Sequence, residues 1–340
     1  MSAIQRIVCT GCGLLFALAL VWPQAAKAIE VQCIEASKYK YLYQMFDNDR
    51  AKFAEFLRVS ASALPDGEVC RAGIITGKIE MSKEAREDGR DSDYKTLLSF
   101  IERNRGWLSQ LYLASGGGNI GMGLGLAEVT RMFWLKTRSV EGKSFSYRPD
   151  FIPTAPASQQ WFKLAELTVT SGNGRCASAC TFMHMAGIDR QGPAYVHRGR
   201  PGKPGDKSMT EIMEGLDRSE DKILALYRKM DAGEEAIRLF QETTTYTVAP
   251  VVVARFPRYV ADLLRSKCGA AAVQAYDPQA AERIEIERCI ASAHEKERLA
   301  QFGKYCRSSC DRSAITTAVK AKLDQLAPPP ATASQAPVRR

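Results

Sequence analysis

Three local features of this chain have residue types and an order that suit acyl transfer: a glycine loop, a serine among small residues, and a histidine ending an apolar run. Ser178 stands in Cys176-Ala-Ser-Ala-Cys180, flanked by Ala177 and Ala179, so a substrate carbonyl meets its hydroxyl without a bulky neighbour in the way. If a helix starts here, the Ala179 N–H lacks an intrahelical acceptor and can donate to an oxyanion. The upstream loop Ser115-Gly-Gly-Gly-Asn-Ile-Gly121 offers further amides, at Gly117 and Gly118, where the missing side chain lets the backbone approach a ligand closely. His197 closes Ala-Tyr-Val-His and lies far enough downstream to return beside Ser178 on a neighbouring strand as general base.

Each of these residues has an ordinary reading as well. Serine commonly caps helices, and a strand-end histidine is often satisfied by a backbone group. His184, in the apolar stretch after Ser178, reads as a core histidine, and His294, in Ser-Ala-His-Glu-Lys-Glu-Arg, as a solvent-facing one. Cys176 and Cys180 could be nucleophiles themselves, but an exported thiol oxidises, so both read as disulfide partners, mutual or with other cysteines. The glycine loop also spells Gly116-x-Gly118-x-x-Gly121, the dinucleotide fingerprint. That fingerprint calls for a ribose-binding acid about 20 residues later, and Arg138 and Ser139 stand there instead.

The elements that must hold these residues follow from periodicity and turn signals. Ala72 to Met81 and Trp107 to Ala114 read as strands, with a helix around Tyr94 to Arg103 between them. The glycine loop opens a helix reaching about Lys136, in which Gly121 and Gly125 lie one turn apart and permit close packing. A third strand is expected over Ala165 to Thr170, then the Ser178 turn into another helix, then a short strand from Ala194 to His197 and the loop Arg-Gly-Arg-Pro-Gly-Lys-Pro-Gly-Asp-Lys. From Met209 to Met230 apolar residues recur at helical spacing. Strands alternating with helices indicate an α/β domain over 72–250, with an insertion at 137–160. It is flanked by a helical N-terminal extension at 29–71, a helical cysteine-containing extension at 251–326 and a compositionally disordered tail at 327–340.

The compartment is set by the first residues of the 340. Ile7 to Trp22 is an uncharged apolar run after Arg6, followed by Pro23 and an Ala26-x-Ala28 cleavage site, the pattern of a secretory signal over 1–28. The alternative is an uncleaved anchor, for which the run is near the short limit. A periplasmic or secreted protein with no stable membrane span after cleavage is expected. Cys9 and Cys12 leave with the signal; Cys33, Cys70, Cys176, Cys180, Cys268, Cys289, Cys306 and Cys310 remain as disulfide candidates. Sequence order suggests Cys33 with Cys70, and pairs within the four C-terminal cysteines. Zinc has little support, because there are only three histidines and no paired Cys-x-x-Cys motifs. The formal net charge of +9 is scattered rather than gathered into a stripe, so nucleic-acid binding has no specific support.

The order strand, Ser-Gly-Gly-Gly, helix, then Cys-Ala-Ser-Ala-Cys, helix, Ala-Gly-x-x-Arg, then a strand ending in Val-His resembles the Clp protease proteolytic subunit and its exported relatives in the Clp/crotonase superfamily. The resemblance covers roughly Ala72 to Pro250. It implies a repeated β-β-α spiral core, Ser178 as nucleophile, His197 as base, Gly117 as first oxyanion donor and Ala179 as second. It implies a peptide or protein substrate, no metal or organic cofactor, and a homo-oligomer. Gly116 replaces the family's loop proline, and the serine-to-histidine spacing is shortened. The family's aspartate, after the helix that follows the histidine, should fall where Thr243, Thr244, Thr245 and Tyr246 stand beside Glu242. An uncharged group such as Thr244 can still orient an imidazole, but losing the aspartate of a serine-protease triad lowers turnover about 10⁴-fold. Asp189 and Asp206 are other candidates for that place. The expectation is an exported serine hydrolase working through a Ser178 acyl-enzyme, with a catalytically lapsed scaffold that oligomerises or binds peptides as the alternative.

Overall fold

The computed structural model describes residues 29–38, 49–57, 61, 68–80, 92–104, 108–140, 175–199, 208–244, 247–273, 281–306 and 310–326. The expected signal, the strand at 165–170, most of the 137–160 insertion, Asp206, most of the 198–207 loop and the 327–340 tail lie outside the described residues.

A five-stranded sheet runs in sequence order: β1 Glu30–Lys38, β2 Glu68–Thr76, β3 Gln110–Leu113, β4 Lys136–Ser139 and β5 Arg190–Gln191. β1 is antiparallel to β2, and each later strand is parallel to the one before it. Parallel neighbours require crossovers; α2 (Ser92–Arg103) carries the chain from β2 to β3, and α3 (Ile120–Met132) from β3 to β4. The short helix α1 (Arg50–Leu57) lies between β1 and β2 in sequence. All four residues of β3, Gln-Leu-Tyr-Leu, are buried, as befits a strand covered on both faces.

The central helix is α3. Met122, Leu124, Leu126 and Val129 are among its buried residues, and so few of its sides are polar that only an interior position suits it. It starts at Asn119, whose side-chain oxygen accepts the Met122 N–H at 2.9 Å. Against it packs α4 (Ala179–Ala186), and Gly123 makes the close approach: a Cβ there would lie 2.7 Å from the Ala179 Cβ and 3.0 Å from Phe182 Cδ2. The expected contact glycine Gly121 would meet only its own cap, Asn119 Oδ1, at 3.5 Å.

A second sheet pairs β6 (Ala194–Val196) with β7 (Ala249–Val251), antiparallel. In sequence α5 (Met209–Lys229) and α6 (Glu234–Glu242) lie between its two strands, α6 packing against both, and α7 (Arg258–Cys268), α8 (Ala281–Tyr305) and α9 (Arg312–Asp324) follow. The C-terminal helices share the main core, since Leu299, Phe302, Ile315 and Val319 belong to the same buried cluster as Leu126 and Met183. Glu128 of α3, fully buried, draws Lys229 Nζ of α5 to 2.8 Å and Lys322 Nζ of α9 to 3.8 Å.

Two expectations are corrected. The segment 29–71 opens with a strand rather than a helix: β1 pairs with β2, but register shifts around Glu35 break the alternation that would reveal it. Residues 136–139, expected as a helix end and the start of an insertion, form strand β4, between β3 and the edge strand β5. Its sequence, Lys-Thr-Arg-Ser, carries no apolar signal; Thr137 is buried there and donates its hydroxyl to the His184 carbonyl at 3.0 Å.

Four disulfides join Cys33 to Cys70, Cys176 to Cys180, Cys268 to Cys289 and Cys306 to Cys310. They fit an oxidising compartment. Among the described residues no helix is long and apolar enough to cross a membrane.

Candidate active site

Ser178 sits immediately before α4 with φ 57° and ψ −127°, and its side chain makes no capping hydrogen bond. Among the described residues, Trp134 and Asp231 are the other non-glycine residues with positive φ. Both lie just past a helix C-terminus, where the left-handed conformation is common. Ser178 lies at a helix start and has no such explanation. A non-glycine residue in a sparsely populated region costs about 1 to 3 kcal/mol and persists only when its surroundings fix it.

The surroundings do fix it. The Ala177 N–H donates to the Ser115 carbonyl at 3.1 Å, the Ser178 N–H to the Tyr195 carbonyl at 3.0 Å, and the Tyr195 N–H to the Cys176 carbonyl at 3.0 Å. The serine turn is thus stitched between the glycine loop and β6. The Cys176–Cys180 disulfide brackets it, with both cysteines fully buried, while Ser178 itself is half-buried.

The glycine loop lies directly against the serine. At Gly117, φ 86°, a Cβ would collide with Ser178 Cβ and the Ala177 carbonyl and would lie 2.7 Å from the Ala179 nitrogen, so no other residue fits. The loop is tied to the segment after β2, because the Ile79 N–H donates to the Gly117 carbonyl at 2.9 Å and the Asn119 N–H to the Ile79 carbonyl at 2.6 Å. The Gly117 N–H itself donates to Ser115 Oγ at 3.2 Å. Gly118 and Ala179 carry backbone N–H groups that have no acceptor among the described residues. Of the three consecutive loop glycines, Gly117 thus spends its N–H on Ser115, whereas those of Gly116 and Gly118 have no acceptor among the described residues.

His197 follows β6, two residues beyond Tyr195, about 6.6 Å further along an extended chain. Its Nδ1 lies 2.6 Å from the Arg198 carbonyl oxygen. A carbonyl only accepts, so Nδ1 carries a proton, and in the neutral imidazole Nε2 presents its lone pair. No Ser178–His197 hydrogen bond is formed among the described residues.

The sequence candidates for an orienting third residue are engaged elsewhere. Thr244 Oγ1 lies 2.9 Å from Thr247 Oγ1 and accepts the Thr247 N–H at 3.0 Å in an exposed turn. Glu242 pairs with Arg238 of its own helix at 2.6 Å. Asp189 is buried and bound in a two-pronged pair by Arg255, Nε to Oδ1 and Nη2 to Oδ2, both 3.0 Å. Burial alone would raise the Asp189 pKa, but Arg255, with Arg138 and Lys136, holds it below the ordinary value. The group facing Nδ1 of His197 is the Arg198 carbonyl, which sequence reasoning missed because a backbone oxygen leaves no residue-type signal.

His184 is a core histidine. It is fully buried, donates Nε2–H to the Gly192 carbonyl at 3.1 Å, and leaves Nδ1 without a hydrogen bond. Desolvation, then the Arg190 charge, lower its pKa to about 3. His294 is not solvent-facing: it is 3% exposed, edge-on to Trp134 and Phe256 at ring distances of 6.4 and 6.1 Å. Of its charged sequence neighbours Lys296 is exposed, while Ile290, one turn earlier, and Arg298, one turn later, share its buried face.

A cleft of about 380 Å³ is lined by Arg198, Asp217, Glu220, Asp221, Leu224 and Phe240, and neither His197 nor Ser178 is among its lining residues. Compared with protein-family models, curated proteins and solved structures, the chain matches none.

Proposed function

We propose that this chain is an exported serine hydrolase of Clp-protease type, with the Clp/crotonase spiral as its core, cleaving peptide or other acyl bonds. The carrying observation is Ser178 itself: a strained, half-buried serine at a helix N-terminus whose hydroxyl does no capping.

In this reading His197 Nε2 accepts the hydroxyl proton as Ser178 Oγ adds to the substrate carbonyl. The negative charge on the carbonyl oxygen is received by the Ala179 and Gly118 amides, neither of which has an acceptor among the described residues. Collapse expels the leaving group, which takes its proton from His197. Water, deprotonated by the same nitrogen, then frees the acyl group and restores the serine. The four disulfides agree with export. Assembly into a homo-oligomer belongs to the same proposal, by likeness to ring-forming relatives.

A second reading, a lapsed scaffold that binds peptides or partners, is favoured by one observation: the serine and histidine are not hydrogen-bonded. A fluorophosphonate probe separates the two. The hydrolase labels at Ser178, with labelling abolished in Ser178→Ala and strongly slowed in His197→Ala. A folded, unmodified protein that takes no label is the scaffold.

A further inference from the structure

We infer that Glu220 is a positioning residue for His197, acting through the Arg198–Gly199 peptide, which α5 holds at two points one helical turn apart. The inference rests on the hydrolase reading for its consequence in catalysis, though not for its geometry.

A neutral imidazole in water carries its proton mainly on Nε2, the nitrogen that a base beside Ser178 must keep free. An acceptor placed at Nδ1 reverses that preference. The acceptor is the Arg198 carbonyl, 2.6 Å away. A carbonyl in the very next residue is a weak guide if its peptide can swing, so what matters is how that peptide is fixed.

It is fixed from both sides. On one flank, Arg198 lays its guanidinium fork on the Glu220 carboxylate, Nε to Oε1 at 3.0 Å and Nη2 to Oε2 at 2.5 Å. Two parallel charged hydrogen bonds impose an orientation that a single-contact surface pair does not. The Glu220 side chain is only 13% exposed, so the anchored end is the rigid one. On the other flank, Gly199 is buried so closely that a Cβ would lie 2.8 Å from Leu216 Cδ1 and 3.3 Å from Ile120 Cδ1. Leu216 and Glu220 are four residues apart and occupy one face of α5. That helix is in turn held by the capping box of Ser208 with Glu211 and by Ile223, Leu226 and Tyr227, each at most 1% exposed. The chain from the helix to the imidazole is therefore continuous: Glu220, Arg198, its carbonyl oxygen, Nδ1–H.

The test reads the tautomer directly, by long-range ¹H–¹⁵N correlation of the histidines at neutral pH, in parallel with the rate of fluorophosphonate labelling. The chain has three histidines, so His197→Ala assigns the signal. The unmodified protein is expected to show His197 with the proton on Nδ1. Glu220→Ala is expected to move it toward Nε2 and to slow labelling by about tenfold, part of what a general base contributes. Arg198→Ala keeps the carbonyl but cuts its anchor, and is expected to do the same should Glu220→Ala fold poorly. Glu235→Ala, which removes an exposed pair on α6, is expected to change neither readout. Folded Glu220→Ala and Arg198→Ala proteins with an unmoved tautomer overturn the inference. The tautomer needs no turnover, so a protein that no probe labels removes the hydrolase reading while the clamp is still judged by its spectrum.

Discussion

Ser178→Gly should make the protein more stable, by about 1 kcal/mol, although it deletes the candidate nucleophile. At φ 57° and ψ −127° an L side chain is strained, whereas the sign-inverted angles fall in the broad β region. Achiral glycine occupies a conformation and its mirror image alike, so it sits here without penalty. Relief of about 2 kcal/mol, the middle of the range for such residues, is offset by roughly 0.5 to 1 kcal/mol of extra chain entropy that glycine loses on folding. No cap is sacrificed, because the Ser178 side chain makes no capping bond. Ser178→Ala keeps the strain and is expected to be near neutral. Urea unfolding of the oxidised protein reads the difference as a midpoint shift of about 0.3 M if the denaturant slope is about 3 kcal/mol per molar. At an unstrained helix start the same glycine costs a few tenths of a kcal/mol, so the sign decides. A glycine variant less stable than both alanine variant and parent would refute the strain, and with it the observation that carries the hydrolase reading.

Two other outcomes follow from the same geometry. Cys176→Ala with Cys180→Ala opens a link of sequence separation 4, for which chain entropy gives about 1.9 kcal/mol, against about 3.8 kcal/mol for the separation of 37 between Cys33 and Cys70. The first pair should nonetheless slow fluorophosphonate labelling of the folded protein by about tenfold or more, because it brackets the serine, while the second leaves labelling unchanged. His184, with its folded pKa lowered to about 3 from 6.5, should make stability fall with acid. Between those values the unfolded chain binds the proton and the folded chain does not, so its contribution is full above pH 6.5 and declines toward pH 3. His184→Gln should flatten that limb of the stability profile, and an unchanged slope would show that the histidine does not titrate on unfolding.

What the sequence disclosed was set by how each feature is encoded. The apolar strand β3 and the interior helix α3 announce themselves through runs of buried side chains. The polar strand β4 is legible only once β3 and β5 are seen on either side of it, because its pairing is made by backbone. The helical expectation for 29–71 failed at β1, where register shifts remove the period-two pattern. At the site, residue types pointed to Ser178, His197 and the glycine loop, and the structure brings the serine turn, the loop and the histidine's strand together. It could not be read from composition that Gly117 spends its N–H on Ser115 Oγ, or that the partner of His197 is a carbonyl rather than Thr244. Both are backbone groups, common to every residue type.

The two readings of the chain differ in what they ask of Ser178. A peptide-binding scaffold gains nothing from a strained serine: glycine would adopt the same turn at lower cost, and a relaxed helix cap would let the hydroxyl serve the backbone. Here the strained turn is instead enforced by backbone bonds to Ser115 and Tyr195 and by a disulfide across it. That is stability given up at one residue and recovered around it, the usual pattern where a side chain must be presented rather than packed. The missing Ser178–His197 hydrogen bond weighs less, because catalytic hydrogen bonds are often long or absent until substrate is bound. The nitrogen that would make it already holds its lone pair free, since the Arg198 carbonyl takes the other proton. On the proposed reading, an imidazole whose Nδ1 is held by the Arg198 carbonyl and a serine kept in a conformation that stability disfavours are the two parts that acyl transfer uses.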